Sequence, residues 1–525
     1  MNILSKTIPY LLLFLLFLII IKNFDNLPIN YLWYDHADTL LMDNIAKDLI
    51  SGASILDFRL TQAPYYFPDI AFSYLWHINS LPFNLDTYVA PYFHLFGLVI
   101  GSLGWFFLAK YQLNSRVLAR NCAFFYSSLY ILSFLLIPSQ SEISLYFGLI
   151  GHHSSIGIMS PYLIMLIFYS QNFKRENIFF SFLTISIFSI LFSIFSISDQ
   201  LFLLSILLPF LLAIIILSLL NIIQFKNYLL TISSVLLSIL LTQLYNRSIP
   251  YPQTVEFTNW ILSNFIQNFP RGTFDSILKF YDFLSLSKIN LTFIMVSLLC
   301  VLLIIIKIIS SRKAILNHSD DKLTRPLIIL TTLSIGITLV ISTQITLGLF
   351  TSSSSSRQFA GTIISLITFS SSYFFSKNRP EINFSIKMII LIFCFTQISN
   401  ISKNKFISQF DNKEFHQCLT YLNQSKKSFV ADFWLKVPLE NITVVRGVSL
   451  ETLDIAFTNG QNVKKTRSSK PEIAITNGTF SKNIFIENFG TPYNIIQCRS
   501  DITLLDYSNN KKFIEHFTKI SLNAK

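Results

Sequence analysis

Charge is scarce in this chain: Asp, Glu, Lys and Arg together make up 13% of its 525 residues, about half their share in an ordinary soluble domain. Hydrophobic residues supply 52%, so the sequence reads as an integral membrane protein. Glycine is also sparse, at 15 residues. Its one compact group, Gly97, Gly101 and Gly104, argues against helices packed along extended small-residue seams. Of the five cysteines, Cys122, Cys300 and Cys394 fall in apolar runs and read as packing residues. Cys418 and Cys498 share a polar C-terminal region and are a disulfide candidate if that region faces an oxidising compartment. No Walker loop, dinucleotide fingerprint, nucleophile elbow or zinc-type spacing occurs. No small-x-small cleavage site follows the first apolar run, "IPYLLLFLLFLIII", so it reads as a retained anchor with a cytoplasmic N-terminus. There is no solenoid repeat, and the Ser352–Ser356 run is too short to be a low-complexity domain.

What is abundant is apolar sequence in runs of membrane length. A span needs about 20 mostly apolar residues. Such segments lie near residues 7–23, 89–109, 121–137, 154–170, 178–196, 200–222, 228–244, 289–309, 326–350, 359–376 and 384–400, about 11 transmembrane helices in all. The net charge of +12 is spread over short loops and forms no single patch, which excludes nucleic acid as a partner. Short cytoplasmic loops accumulate Lys and Arg. With the N-terminus inside, the inner loops carry Lys110, Arg116 and Arg120, Lys174 and Arg175, Lys226, Arg312, Lys313, Lys322 and Arg325, then Lys377 and Arg379. The short outer loops at 138–153 and 197–199 have neither residue type. The expected organisation is therefore a transmembrane module over residues 1–400, with outer loops 24–88 and 245–288, and an extracytoplasmic region over 401–525.

The outer pieces differ in character. From Ala37 to Ile50, Leu41, Met42, Ile45, Ala46, Leu49 and Ile50 form one face, and Asp43, Asn44, Lys47 and Asp48 another. This predicts an interfacial helix that Gly52 ends. The aromatic loop "YPQTVEFTNWILSNFIQNFPRGTFDSILKFYDFLSL" suits either a cover for a lipid chain or an aromatic belt. In the C-terminal region, "SFVADFWL", "ITVVRG", "DIAFTNG", "EIAITNG" and "NIFIENFG" read as short strands, while "KEFHQCLTYLNQ" and "NKKFIEHFTKI" read as helices. Together they predict a small α/β domain.

Carboxylates at a membrane boundary usually face water, a cation or a polar partner. Asp35 and Asp38, in "YDHAD" directly after the first span, suit a general base or a metal-positioning group. The plainer reading makes Asp35 a solvated loop acid and Asp38 the N-cap of the helix that follows. Arg357, in "SSSSSRQFAGT", is an outer cation before an apolar span, a position open to phosphate binding or to snorkelling. In "SEISLYFGLIGHHSSIG", Glu142, His152 and His153 offer an acid and two imidazoles for a diphosphate or a metal; adjacent histidines on a helix diverge by about 100°, and the plainer reading is loop polarity. Asp199, in "SISDQLF", reads as a helix cap. His77, His94, His416 and His516 form no constellation.

A cytoplasmic N-terminus, one span, a long outer loop opening on "YDHAD", an interfacial helix, further spans and an outer C-terminal domain together resemble the GT-C superfamily of polytopic glycosyltransferases. The resemblance implies an acid at the start of the first outer loop as catalytic base, at Asp35 or Asp38. Many members have adjacent acids there, so "YDHAD" leaves the choice between the two open. It implies an arginine on the donor phosphate, at Arg357, although Gln358 stands where an aromatic is usual, and a second acid at Glu142. It further implies a polyprenyl-phosphate-linked sugar donor, a lipid or glycan acceptor, inverting transfer, and a site at the outer face of a bacterial inner membrane. A monophosphate leaving group does not require a metal; a divalent ion, Mg or Mn, is the one cofactor left open. The rival readings are a lipid or polysaccharide transporter or flippase, which predicts broken helices and intramembrane charge, a polysaccharide polymerase or ligase, and a non-catalytic assembly protein.

Overall fold

The computed structural model describes residues 3–29, 37–52, 54, 66–80, 90–136, 143, 153–172, 178–248, 266, 269–315, 321–350, 353–376, 380–403, 415–432, 435, 439, 447–450, 470–477 and 482–523. Side chains at some element ends, Asp38 among them, are outside this description. The long helices run, in chain order, α1 Ile3–Lys22, α2 Ala37–Ile50, α3 Ala71–Ser80, α4 Ala90–Phe107, α5 Arg116–Leu135, α6 Ser154–Asn172, α7 Ile178–Ser198, α8 Leu208–Leu219 and α9 Leu229–Ser248. They continue with α10 Arg271–Leu286, α11 Lys288–Ile315, α12 Asp321–Thr346, α13 Arg357–Ser376 and α14 Pro380–Thr396. The C-terminal region adds helices α15 His416–Ser425, α16 Lys482–Phe489 and α17 Lys511–Asn523, and strands β1 Phe429–Asp432, β2 Gly447–Leu450, β3 Ile473–Thr476, β4 Asn494–Arg499 and β5 Ile502–Asp506.

Eight helices among the described residues are long and apolar enough to cross a membrane, from Tyr92–Gln112 to Pro380–Asn400. Three shorter apolar helices, Thr7–Lys22, Ser155–Gln171 and Leu203–Leu219, fall on the remaining segments expected from sequence. The chain is a multi-pass membrane protein. It divides into one compact unit comprising 1–29, 62–68 and 92–404, and a second comprising 30–61, 69–91 and 405–525.

Within the first unit, the order of burial inverts that of a soluble protein. The span of α13, rich in Ser and Thr, is 78% buried, whereas the most apolar span, within α11, is 28% buried. Hydrocarbon solvates Leu and Ile as well as a neighbouring helix does, so the oiliest helices can be outermost and small polar residues mediate the inner packing. Many of these hydroxyls return a hydrogen bond to their own helix, as Ser365 does to Gly361 O and Ser370 to Leu366 O. Others link helices: Thr362 donates to Ser205 at 3.0 Å, and Ser170 and Thr231 share a 2.6 Å bond. Gly97, Gly101 and Gly104 occupy one stripe of α4, filled by Tyr130, Tyr126 and Tyr162 respectively. Tyr162 donates to Ile100 O at 2.7 Å and locks that contact.

In the second unit, α2 ends as expected, with Gly52 at φ +94°. Its polar face is a correction to the interfacial reading. Asp43, Asn44 and Asp48 are buried along with Leu40, Met42 and Ile45. Burial of Asp43 is tolerable because its charge is answered: it pairs with Lys47 at 3.1 Å and with His77 of α3.

The C-terminal sheet has five strands in the order β2-β1-β3-β5-β4, with β1 parallel to β2 and β3, and β5 antiparallel to β3 and β4. Alternate strand residues serve opposite faces. Phe429, Ala431, Ile473, Ile475 and Leu504 join Phe415, Cys418 and Leu422 on the α15 side. Val430, Ala474 and Leu505 join Phe485, Phe489, Phe513 and Phe517 of α16 and α17. The result is a helix–sheet–helix sandwich, which is why β3 and β5 are buried along their lengths. Cys418 and Cys498 are joined, tying α15 to β4. This disulfide agrees with an extracytoplasmic location. The segment "NIFIENFG", expected as a strand, is instead helix α16, because Phe485 and Phe489, four apart, are the residues that bury.

Candidate functional site

The polar groups best placed for chemistry in the first unit gather where α6 and α13 begin. His153 immediately precedes α6 and holds a left-handed backbone, φ 62°, a conformation uncommon outside glycine in which Asn, Asp and His are the enriched exceptions. Its Nδ1 lies 2.7 Å from Asp199 Oδ2. Asp199 is fully buried at the end of α7, and its other carboxylate oxygen accepts Leu201 N–H at 3.0 Å. The capping role expected of Asp199 is present, joined by a second one: a carboxylate bonded to one ring nitrogen fixes the orientation of an imidazole.

Gly361 brings α13 against this corner. A Cβ there would lie 2.9 Å from Gly157 N and 3.2 Å from His153 O. The first turns of the two helices therefore touch backbone to backbone. Arg357 is the first residue of α13 and half-buried. It stands one turn before Gly361, on the face that meets α6. Two hydroxyls in the same turns, Ser155 at 1% and Ser356 at 0% exposure, have no hydrogen-bond partner among the described residues. Buried polar atoms are rarely left so. Two helix N-termini, a guanidinium, two buried hydroxyls and an imidazole oriented by Asp199 make this corner rich in hydrogen-bond donors, as an anion site requires.

A strap of chain closes on the neighbouring residue. Ser198 receives Phe67 N–H at 2.8 Å and donates to Phe67 O at 2.6 Å. Beside it, Tyr245 donates to Tyr66 at 3.2 Å, and Phe67 meets Phe195 edge to face. Burial, then this hydrogen bond, raises the Tyr66 hydroxyl above its ordinary range.

The other sequence-predicted residues are distributed as follows. Asp35, Glu142 and His152 lie outside the described residues. Asp38 is in the first turn of α2, with its side chain outside the description. His153 and Arg357 share the corner just described, and Cys418 and Cys498 form the disulfide. Sequence reasoning missed the His153–Asp199 pair, whose members are 46 residues apart, and the Asp43–His77 pair; in each case the partners lie on segments that only packing brings together. No group of three His, Cys, Asp or Glu side chains among the described residues is placed to hold a metal ion. Neither the protein-family models nor the curated proteins compared with this chain match it.

Proposed function

We propose that the protein is a membrane glycosyltransferase of GT-C type, moving a sugar from a polyprenyl-phosphate donor to an acceptor hydroxyl at the outer face of the cytoplasmic membrane. One observation carries the reading: the paired first turns of α6 and α13, with Arg357, the Asp199-held His153, and the buried hydroxyls of Ser155 and Ser356, make a phosphate-compatible corner at one end of a lipid-embedded bundle. The parity of the chain supports it. Counting eleven crossings, six separate the start of α6 from the start of α13, so both begin at the same membrane face, as their contact requires. With a cytoplasmic N-terminus, that face is the outer one. Aromatic residues at the corner, Phe67 and Tyr66, suit a prenyl chain.

In the proposed reaction the acceptor oxygen attacks the anomeric carbon and forms the new C–O bond as the bond from that carbon to phosphate oxygen breaks, with inversion. Asp35 or Asp38 takes the acceptor proton, and Arg357 holds the charge that collects on the departing phosphate. Sugar transfer from a radiolabelled lipid-linked donor pool in membranes tests this. Arg357→Ala is expected to lower turnover by about 100-fold or more, and one of Asp35→Asn and Asp38→Asn to abolish it. Full activity in all three variants at normal expression would refute the assignment.

A further inference from the structure

At the opposite end of the bundle, where α1, α5 and α14 begin, lies a cation that glycosyl transfer does not use. Lys387 of α14 is 6% exposed. Its Nζ donates to Tyr10 OH of α1 at 2.7 Å and sits 4.7 Å from the Tyr10 ring centre and 5.2 Å from that of Phe124 on α5. An ammonium has three N–H donors, and Tyr10 takes one. Ring faces attract the charge but accept none of the remaining hydrogens in full. Among the described residues Lys387 has no carboxylate within ion-pairing distance and no second acceptor. Most membrane lysines near a helix end snorkel to water; this one is held inside.

Its surroundings add donors. Asn383 stands one turn before Lys387 on the same face of α14, and its Nδ2 reaches Asn121 Oδ1 of α5 at 3.5 Å. Asn121 is 1% exposed, and its own Nδ2 has no partner among the described residues. Arg120, the preceding residue, is exposed and adds a second positive charge. Lys387 is seven residues into α14, about 10 Å from its start, and helical side chains lean back toward the N-terminus. The ammonium therefore points toward the membrane face from which all three helices start.

We infer that Lys387, Asn121 and Arg120 form a binding site for a phosphate oxyanion, with the phosphodiester of an anionic phospholipid as its source. The site opens sideways. The span of α14 is only 17% buried, and Leu11, Phe14 and Ile389 nearby are exposed, so acyl chains have an apolar surface to lie against. The charge distribution of the loops assigns this end to the cytoplasmic leaflet, whose anionic headgroups are drawn to basic interhelical pockets. The Asn383 Oδ1, also without a partner among the described residues, suits a headgroup hydroxyl.

The test uses the full chain in neutral detergent, following the thermal unfolding midpoint during titration with phosphatidylglycerol, phosphatidylcholine or inorganic phosphate at constant ionic strength. Phosphatidylglycerol is expected to raise the midpoint saturably and phosphatidylcholine to leave it unchanged. Lys387→Met should weaken the phosphatidylglycerol response at least tenfold in half-saturating concentration, and Lys387→Arg should retain most of it. A response to phosphate that Lys387→Met removes would keep the site and move its source to solution. If Lys387→Met does not survive purification, Asn121→Leu, which removes a donor while keeping the branched side-chain shape, should weaken the response at least threefold. No response to either anion, or an unchanged response in the variants that fold, overturns the inference.

Discussion

A hydrogen in place of a methyl group at Gly361 decides how closely α6 and α13 approach. Because a Cβ would meet the backbone of Gly157 and His153 at 2.9 and 3.2 Å and the Cβ of Ile156 at 3.2 Å, no flexible side-chain end can swing aside to make room. Gly361→Val should therefore cost about 1 to 3 kcal/mol by overpacking and separate the two helix starts. Thermal unfolding in detergent measures the first effect, and loss of the proposed sugar transfer beyond the loss of folded protein measures the second. In the C-terminal domain, Asp506 is fully buried in the sheet. Burial pushes its carboxyl up, but hydrogen bonds from Ser508, Tyr421 and Lys427, the last at 3.0 Å, outweigh it and hold the group below its ordinary value of 3.8. A depressed native value means that the unfolded chain takes up the proton first. The stabilisation is thus fully present above about pH 4 to 5 and is lost as pH falls through the native value. Hydrogen exchange at β5 in the full-length protein should accelerate on acidification below pH 4, and Asp506→Asn should remove most of that dependence. At this scale the sequence was partly legible. Arg357 and His153 are conspicuous because polar residues at the ends of apolar runs are few. Asp199 and Lys387 were not singled out as interacting groups, because their partners are brought in by packing between distant segments.

Elements were more legible where their period was long. An apolar run of membrane length has few alternative structures, since every backbone group in hydrocarbon must be satisfied within the helix, and the expected segments and the helices agree along the first unit. Short amphipathic pieces misled in two ways. Helix α2 shows a polar face that suggests water, but its Asp43 is answered by Lys47 and by His77 of α3, and a single-helix pattern does not disclose the second partner. The run preceding Gly490 fits both alternation and a helical turn; strand reading puts Phe485, Glu487 and Phe489 on one face, whereas α16 buries the two phenylalanines and exposes Glu487. Phe485→Ala should accordingly cost about 3 to 5 kcal/mol and Glu487→Ala almost nothing, as read from denaturant-dependent exchange in β3 and β5. Strands β4 and β5 escaped notice because Ser500 and Asp501 turn the chain without an Asn-Gly signal. Their anchorage to α15 is covalent. The bridge between Cys418 and Cys498 spans 80 residues, a loop whose closure contributes about 4 to 5 kcal/mol in the chain-entropy model. Replacing both cysteines by serine should make this domain the first part of the protein to exchange, while Cys122, Cys300 and Cys394, which are buried and free, remain the thiols revealed by denaturation alone.

For the whole molecule, the contacts between helix starts turn orientation into a problem with one unknown. Helices α1, α5 and α14 begin at one face, because Tyr10, Phe124 and Lys387, all near those starts, meet one another. Their far ends agree, since Ser402 N–H donates to Asn26 O at 3.0 Å, joining the chain just after α1 to the chain just after α14. Locating one loop therefore locates the rest of the first unit. If Lys110, Arg116 and Arg120 follow the positive-inside trend, they face the cytoplasm and the chain after α14 leaves on the other side, where an oxidising compartment would keep Cys418 and Cys498 joined. Single cysteines at Asn114 and Glu487, both exposed, separate the two possible orientations. In intact cells with a permeable outer envelope, a membrane-impermeant maleimide should modify the Glu487→Cys protein at once and the Asn114→Cys protein only after the inner membrane is opened. The reverse order would place the α6–α13 corner in the cytosol, where a lipid-linked donor displayed on the outer leaflet never reaches it, and would move the Lys387 site to the leaflet with fewer anionic headgroups. The two proposed sites lie near helix starts of opposite parity in one bundle, and a single labelling order decides which face each one would serve.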